Sequence, residues 1–173
     1  MSFRDALSPG LAKRTFDQWC ALRVGGKVPK KDALCPTGLP PTALPYLMLM
    51  EQFEPDDFRC RLIGTVIRDW YGENVVGRTM RELIPASAYA ERLPLLRHCI
   101  SEGAPAWFIA PLIIRGDPLR RGARLLLPVS FKGDEPDGVL LVAFISDEPP
   151  GAQPLSTSIA LDLSLVCPKS ELD

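Results

Sequence analysis

Chemistry needs particular side chains at particular spacings, and this chain offers few of them. It has one histidine, His98, and five cysteines, Cys20, Cys35, Cys60, Cys99 and Cys167. The cysteines are odd in number, scattered, and nowhere spaced as C-x-x-C, so they signal neither a disulfide framework nor a zinc site. They read as reduced packing residues. His98 has no serine or cysteine in a recognisable nucleophile context, and no acidic pair at helical spacing faces a pocket, so the chain reads as a non-enzyme. Gly64, Gly72 and Gly77 suggest a phosphate loop, but they stand eight and five residues apart with no Lys-Ser/Thr after them. Turn and cap roles account for them. Arg120, Arg121 and Arg124 gather in and after a loop, an anion contact or, more simply, a solvated turn. Arg59 and Arg61 alternate with Cys60 and Leu62, which turns both toward the opposite face, within reach of Glu51 or Asp57 across a hairpin or of a partner's acid.

Composition narrows the classes further. The chain has 173 residues, 46% of them hydrophobic and 24% charged, enough for one soluble domain with its own core. A net charge of -1 argues against nucleic acid or an anionic membrane as partner. MSFRDALSPG carries an acid where a secretory signal is apolar, and no apolar run approaches the ~18 residues that span a bilayer, so a cytoplasmic protein is expected.

The elements that must position any site follow from periodicity. Ser8 and Pro9 open a helix over Leu11 to Val24 with Leu11, Thr15, Trp19 and Leu22 along one face, stopped by Gly25-Gly26. Five prolines between Lys27 and Pro45 make the next stretch an extended connector with room for single turns. Tyr46 to Phe53 and Phe58 to Ile63 form a hairpin around Glu54-Pro55-Asp56-Asp57. Thr65 caps a short helix that Gly72 ends, and Thr79 with Glu82 is a capping box before Leu83 and Ile84. Ser87 to Glu102 is a helix that Pro94 bends or delays. Strands follow at Trp107 to Ile114, Ala123 to Phe131 and Val139 to Ile145. After a linker, Ile159, Leu161, Leu163 and Leu165 alternate as a strand does, for a sheet edge of this chain or of a partner. The chain thus divides into a lead-in over 1–45, a core over 46–146 and a linker with tail over 147–173.

The last three long strands are apolar on both parities, so both faces of their sheet are covered. The central helices cover one. The other needs the amino-terminal helix, the tail or a second copy of the chain. A homodimer is expected, with Leu11, Thr15, Trp19, Leu22, Trp107 and Ile109 at its interface.

The stretch RLIGT from Arg61 to Thr65, with Ile67, Tyr71-Gly72, Gly77 and Leu83, resembles the PAS domain, in particular the alphaproteobacterial-type PAS family with an RLxGT…YG…G motif. Trp19, Leu22-Arg23, Pro29, Asp32, Pro36 and Leu44-Pro45 match its lead-in, and LLLPVS, ending at Ser130, resembles its final strands. The resemblance covers about residues 15 to 146. It implies an α+β fold, a five-stranded antiparallel sheet of order 2-1-5-4-3 with short helices on one face. It also implies sensing or protein interaction in signal transduction; several members carry an additional output domain, for which 173 residues leave no room, so a stand-alone module that passes its signal by contact to a protein partner is expected.

A PAS pocket lies between the inner sheet face and the helix from Tyr89 to Glu102, where Leu62, Leu96, Ile100, Phe108, Leu112, Leu127 and Phe144 are expected to line it, with strand parity exchangeable by one. Such an apolar set suits a small apolar ligand or a filled core in a ligand-free adaptor or dimerisation scaffold; composition does not separate them. His98 lies on the helix from which haem-binding PAS domains supply an iron ligand, yet it falls off the line of Leu96 and Ile100. A surface or capping histidine near the helix end is the simpler reading. Nothing resembles the cysteine helix of the flavin photosensor branch, and the sequence indicates no cofactor and no metal.

Overall fold

The computed structural model describes residues 1–8, 10–34, 36–112, 120–145 and 163–172. Ahead of the sheet come α1 (Phe3–Ala6), α2 (Gly10–Ala21), α3 (Lys31–Leu34) and a 3-10 turn at Pro41–Tyr46. α1 is a single turn capped by Ser2, whose hydroxyl accepts from the Asp5 amide. The sequence reading missed it because four residues carry no period. Pro9 and Cys35 lie outside the described residues, so the expected Ser8-Pro9 start is not placed.

The hairpin is formed by β1 (Leu47–Glu54) and β2 (Asp57–Ile63), and three helices follow: α4 (Thr65–Tyr71), α5 (Met80–Leu83) and α6 (Ala86–Glu102). Gly64 rather than Thr65 caps α4, and Gly72 ends it at φ 71°. At Gly64 the reason is space: an added Cβ would sit 2.4 Å from the carbonyl oxygens of both Leu44 and Pro45. Thr79 and Glu82 close the expected capping box on α5. Pro94 is accommodated inside α6 on its exposed side.

β3 (Ala106–Leu112), β4 (Arg120–Val129), β5 (Gly138–Ile145) and β6 (Leu163–Val166) complete one antiparallel sheet of order β2-β1-β5-β4-β3-β6. The five-stranded PAS order is therefore present, with a sixth strand added beside β3. The tail strand joins its own sheet; Ile159 to Asp162, the earlier part of that alternating run, lie outside the described residues, as do Ile113, Ile114 and the linker at 146–158.

Both sheet faces are covered, as the two-parity strands require. On the outer face Phe3, Phe16 and Trp19 from α1 and α2 pack with Leu125, Leu127, Leu140, Val142, Phe144 and Trp107. The Trp19 indole donates to the Pro128 carbonyl at 2.9 Å, deep in this layer. Pro128 stands beyond the last β3 partner of β4, so the missing N–H costs no ladder bond there and its carbonyl is open to Trp19. The tail closes the same layer: Cys167 is fully buried, the Phe3 amide donates to the Glu171 carboxylate at 2.7 Å, and Arg23 donates to the Leu172 carbonyl at 2.5 Å.

This placement corrects the expected interface. Thr15, Trp19 and Trp107 are 0%, 0% and 1% exposed within one chain, and Leu11, Leu22 and Ile109 pack partly buried on the same layer. The amphipathic helix meets its own sheet. The physical cause is the lead-in, which runs back along β4: Ser130 donates to the Pro29 carbonyl and Lys31 to the Ser130 carbonyl, and Leu34, Leu39 and Ala43 bury themselves under α2.

Candidate functional site

The inner face and α4, α5 and α6 enclose a second apolar layer, with Met48, Met50, Phe58, Cys60, Leu96, Cys99, Phe108, Leu126 and Ala143 among its buried members. Within it lies a partly open cavity of about 230 Å³. Met48, Phe108, Pro111, Leu141 and Ala143 form its floor on the sheet; Ile67, Trp70 and Tyr71 of α4, Met80 and Leu83 of α5, then Ile84 and Pro85, and Ala88 of α6 form its roof. Two arginines enter it, Arg92 from α6 and Arg124 from β4.

Of the residues expected to line a pocket, Leu96 and Phe108 are buried in this layer and Ile100 packs partly buried against it. Among those whose side chains are described, Phe108 alone touches the cavity. Leu127 and Phe144 belong to the outer layer, a parity correction: Leu126, Leu141 and Ala143 face inward instead. Leu62 is 41% exposed, because a bulge at Arg61 resets β2: Met50 pairs with Cys60 but Leu49 with Leu62. Leu112 closes β3, and its side chain lies outside what is described. Arg61 pairs with Glu51 at 2.5 Å, one of the two acids expected, and Glu51 also takes Lys132 at 2.8 Å.

Arg124, offered by the sequence as an anion contact or part of a solvated turn, is 8% exposed and directs its guanidinium inward, opposite Phe108 on β3 and Ala143 on β5. Its Nη1 donates to the carbonyls of Ala110 and Gly122, both at 2.8 Å. Burial first, then the like charge of Arg92, push its pKa down to about 9, while Tyr71 opposes them. Its guanidinium stands 5.4 Å from the Phe108 ring centroid and that of Arg92 5.5 Å from the same ring. Arg92 donates to the Ala88 carbonyl at 2.7 Å, and burial pulls its pKa down against the support of neighbouring Glu91. Burial pushes the Tyr71 hydroxyl up, with Arg124 the first charge to oppose it. Sequence reasoning had Tyr71 only as a motif residue and did not single out Arg92. The available signal was Arg124 standing at the head of an apolar run, Leu125 to Val129.

His98 is half-buried on α6 with its Nε2 enclosed and unpartnered, and it does not line the cavity. Cys60 and Cys99 are fully buried, their thiols pushed up by burial, that of Cys60 to about 11. Among the described residues no group of three His, Cys, Asp or Glu is placed to hold a metal, and no helix is long and apolar enough to cross a membrane. A second hollow between Gly25-Gly26, the end of α6 and Asp134 to Pro136 is lined by the ion pairs Lys27–Asp134 at 2.5 Å and Lys169–Glu102 at 4.0 Å, with Arg23 and Glu135 beside them.

An antiparallel sheet of this order, with helices roofing one face over a cavity, is the architecture that the RLIGT resemblance implied. The PAS domain family matches residues 9–140, and the chain belongs to that family. No curated protein matches it. Solved structures similar to it include the Rhodobacter sphaeroides LOV protein, at 18% identity and TM-score 0.44, covering 78% of this chain and 68% of that one. A point variant of that protein gives 17% and 0.47, with coverage of 61% and 62%, so this chain spans about three fifths of its length. The d2 variant gives 15% and 0.47, with coverage of 84% and 72%.

Proposed function

We propose that the chain is a sensor module of signal transduction that holds a small molecule between the inner sheet face and α4 to α6. The observation that supports this reading is the cavity itself. Interiors pack closely, and an opening of about 230 Å³ among Met, Leu, Ile and Trp side chains is more than packing leaves by default. Membership of the PAS family agrees with a sensory role. The module is non-catalytic and cytoplasmic, and it signals by contact with a protein partner or a second copy of itself. With the outer face occupied by α1 and α2, such contact falls on what stays exposed: Phe53 and Leu62 of the hairpin, or the β6 edge at Val166.

Native mass spectrometry of freshly purified protein tests the sensor reading. A co-purifying small molecule, released on denaturation, is the expected result. A bare chain whose melting temperature no small molecule raises would leave a ligand-free adaptor instead. Sedimentation at micromolar concentration reads the dimer separately.

A further inference from the structure

We propose that the cavity is built for an organic acid: a carboxylate held by Arg124, with Arg92 and the Tyr71 hydroxyl beside it, and an apolar body lying among Ile67, Met80 and Leu83. This rests on the sensor reading above and names the ligand class for it.

The case begins with an unbalanced charge. Arg124 is nine-tenths buried, lines the cavity, and has no acid among the described groups that act on it. Buried charges are ordinarily paired, because removing one from water is costly. The two carbonyl bonds satisfy only Nη1; they fix the side chain in place and neutralise nothing, and Nη2 and Nε have no acceptor among the described residues. The second charge makes the imbalance worse. Arg92, supported by Glu91 next to it, approaches the same Phe108 ring from α6, so two cations flank one aromatic ring. Tyr71 sits close enough to act electrostatically on both.

The neighbours of Arg124 also leave room. Ala110, Gly122 and Ala143 surround it in the sheet where larger side chains would fill the space. A guanidinium fork matches a carboxylate geometrically. The remaining walls are apolar, and the cavity exceeds the ~150 Å³ that encloses benzene, which sets a ligand of the size of octanoate or phenylacetate. A phosphate dianion would need more donors than this end of the cavity supplies.

Titration calorimetry of the full chain with octanoate and octanamide reads the charge directly, since the two share a body and differ in the acid. Octanoate is expected to bind at least tenfold tighter, within the range of about ten- to a hundredfold that a charge-assisted bond gives. Arg124→Met should bring that ratio near one while melting no lower than the parent, because replacing a buried unpaired charge by an apolar side chain of similar length is neutral or stabilising. Arg92→Gln should reduce the ratio less. Equal binding of acid and amide by the parent overturns the carboxylate while leaving a cavity that senses an apolar body. Binding of neither probe, nor of phenylacetate, overturns the ligand class, and native mass spectrometry then decides the sensor reading on its own. Should Arg124→Met fail to fold, the parent ratio and Arg92→Gln still decide.

Discussion

Replacing Trp19 by alanine tests the closure of the outer face within one chain. The side chain is fully buried, stacks with Phe16 at 6.4 Å between ring centroids, and donates to the Pro128 carbonyl at 2.9 Å. Truncation of a buried Trp costs about 3–5 kcal/mol through lost transfer energy and the cavity left behind. Part of that is the Pro128 carbonyl, which loses its donor in a dry layer, a penalty of about 1–3 kcal/mol by itself. For a domain of this size each kcal/mol moves the melting point by roughly 2–4 °C, so Trp19→Ala should melt on the order of 10 °C lower. Trp19→Phe should recover most of the packing and retain the hydrogen-bond loss. Urea denaturation at two protein concentrations is the decisive assay. A loss below about 1 kcal/mol would mean that α2 is not seated on this sheet. A loss that vanishes on dilution would mean that α2 is seated on the sheet of another copy.

Three further outcomes are expected. Gly64→Ala should cost about 1–3 kcal/mol, at the upper end for overpacking because the obstacles are the Leu44 and Pro45 backbone carbonyls; an unchanged urea midpoint would refute the close approach. Hydrogen bonds from Lys132 first and Arg61 second hold Glu51 below the usual carboxylate range, so its contribution is present above the unfolded value of about 4.3 and is lost as pH falls through the lower folded value. Glu51→Gln should therefore flatten the decline of the urea midpoint between about pH 6 and pH 3, and a parallel decline would remove Glu51 from the acid response. Truncation after Ala152 removes β6 and Cys167 and opens the β3 edge beside Trp107, so a lower melting point with concentration-dependent light scattering is expected; an unchanged melt would show β6 to be dispensable.

The elements were largely legible because their punctuation is local. Gly72, the Thr79–Glu82 box and Pro55-Asp56 each mark a boundary by their own backbone chemistry, and the RLIGT stretch carried the strand order through its resemblance to PAS domains. What failed was the phase of the strands. Alternation fixes a face only when one parity is polar, and Leu125-Leu126-Leu127 and Val139 to Phe144 have no polar parity to fix it. The one charge available for phasing β4, Arg124, points inward, so it gives no outward parity from which to place Leu127. The bulge at Arg61 did the same to Leu62 through backbone geometry that no side-chain pattern announces. The dimer interface was misjudged for another reason: an amphipathic helix states that it needs an apolar partner, not whose. The inner charge cluster stayed hidden because Tyr71, Arg92 and Arg124 come from three elements far apart in sequence.

β4 carries Arg124 on one side and, four residues on, the carbonyl that holds Trp19 on the other. It works as a party wall between the packed outer layer and the partly open inner chamber. At ~3.3 Å per residue the two points are about 13 Å apart along a single extended segment. The outer room is close-packed, and packed interiors are nearly incompressible. Whatever swells the chamber beneath α6 leans on the strand that α1 and α2 rest against. The helical cover at the front of the chain is in this sense fixed to the far side of the pocket wall.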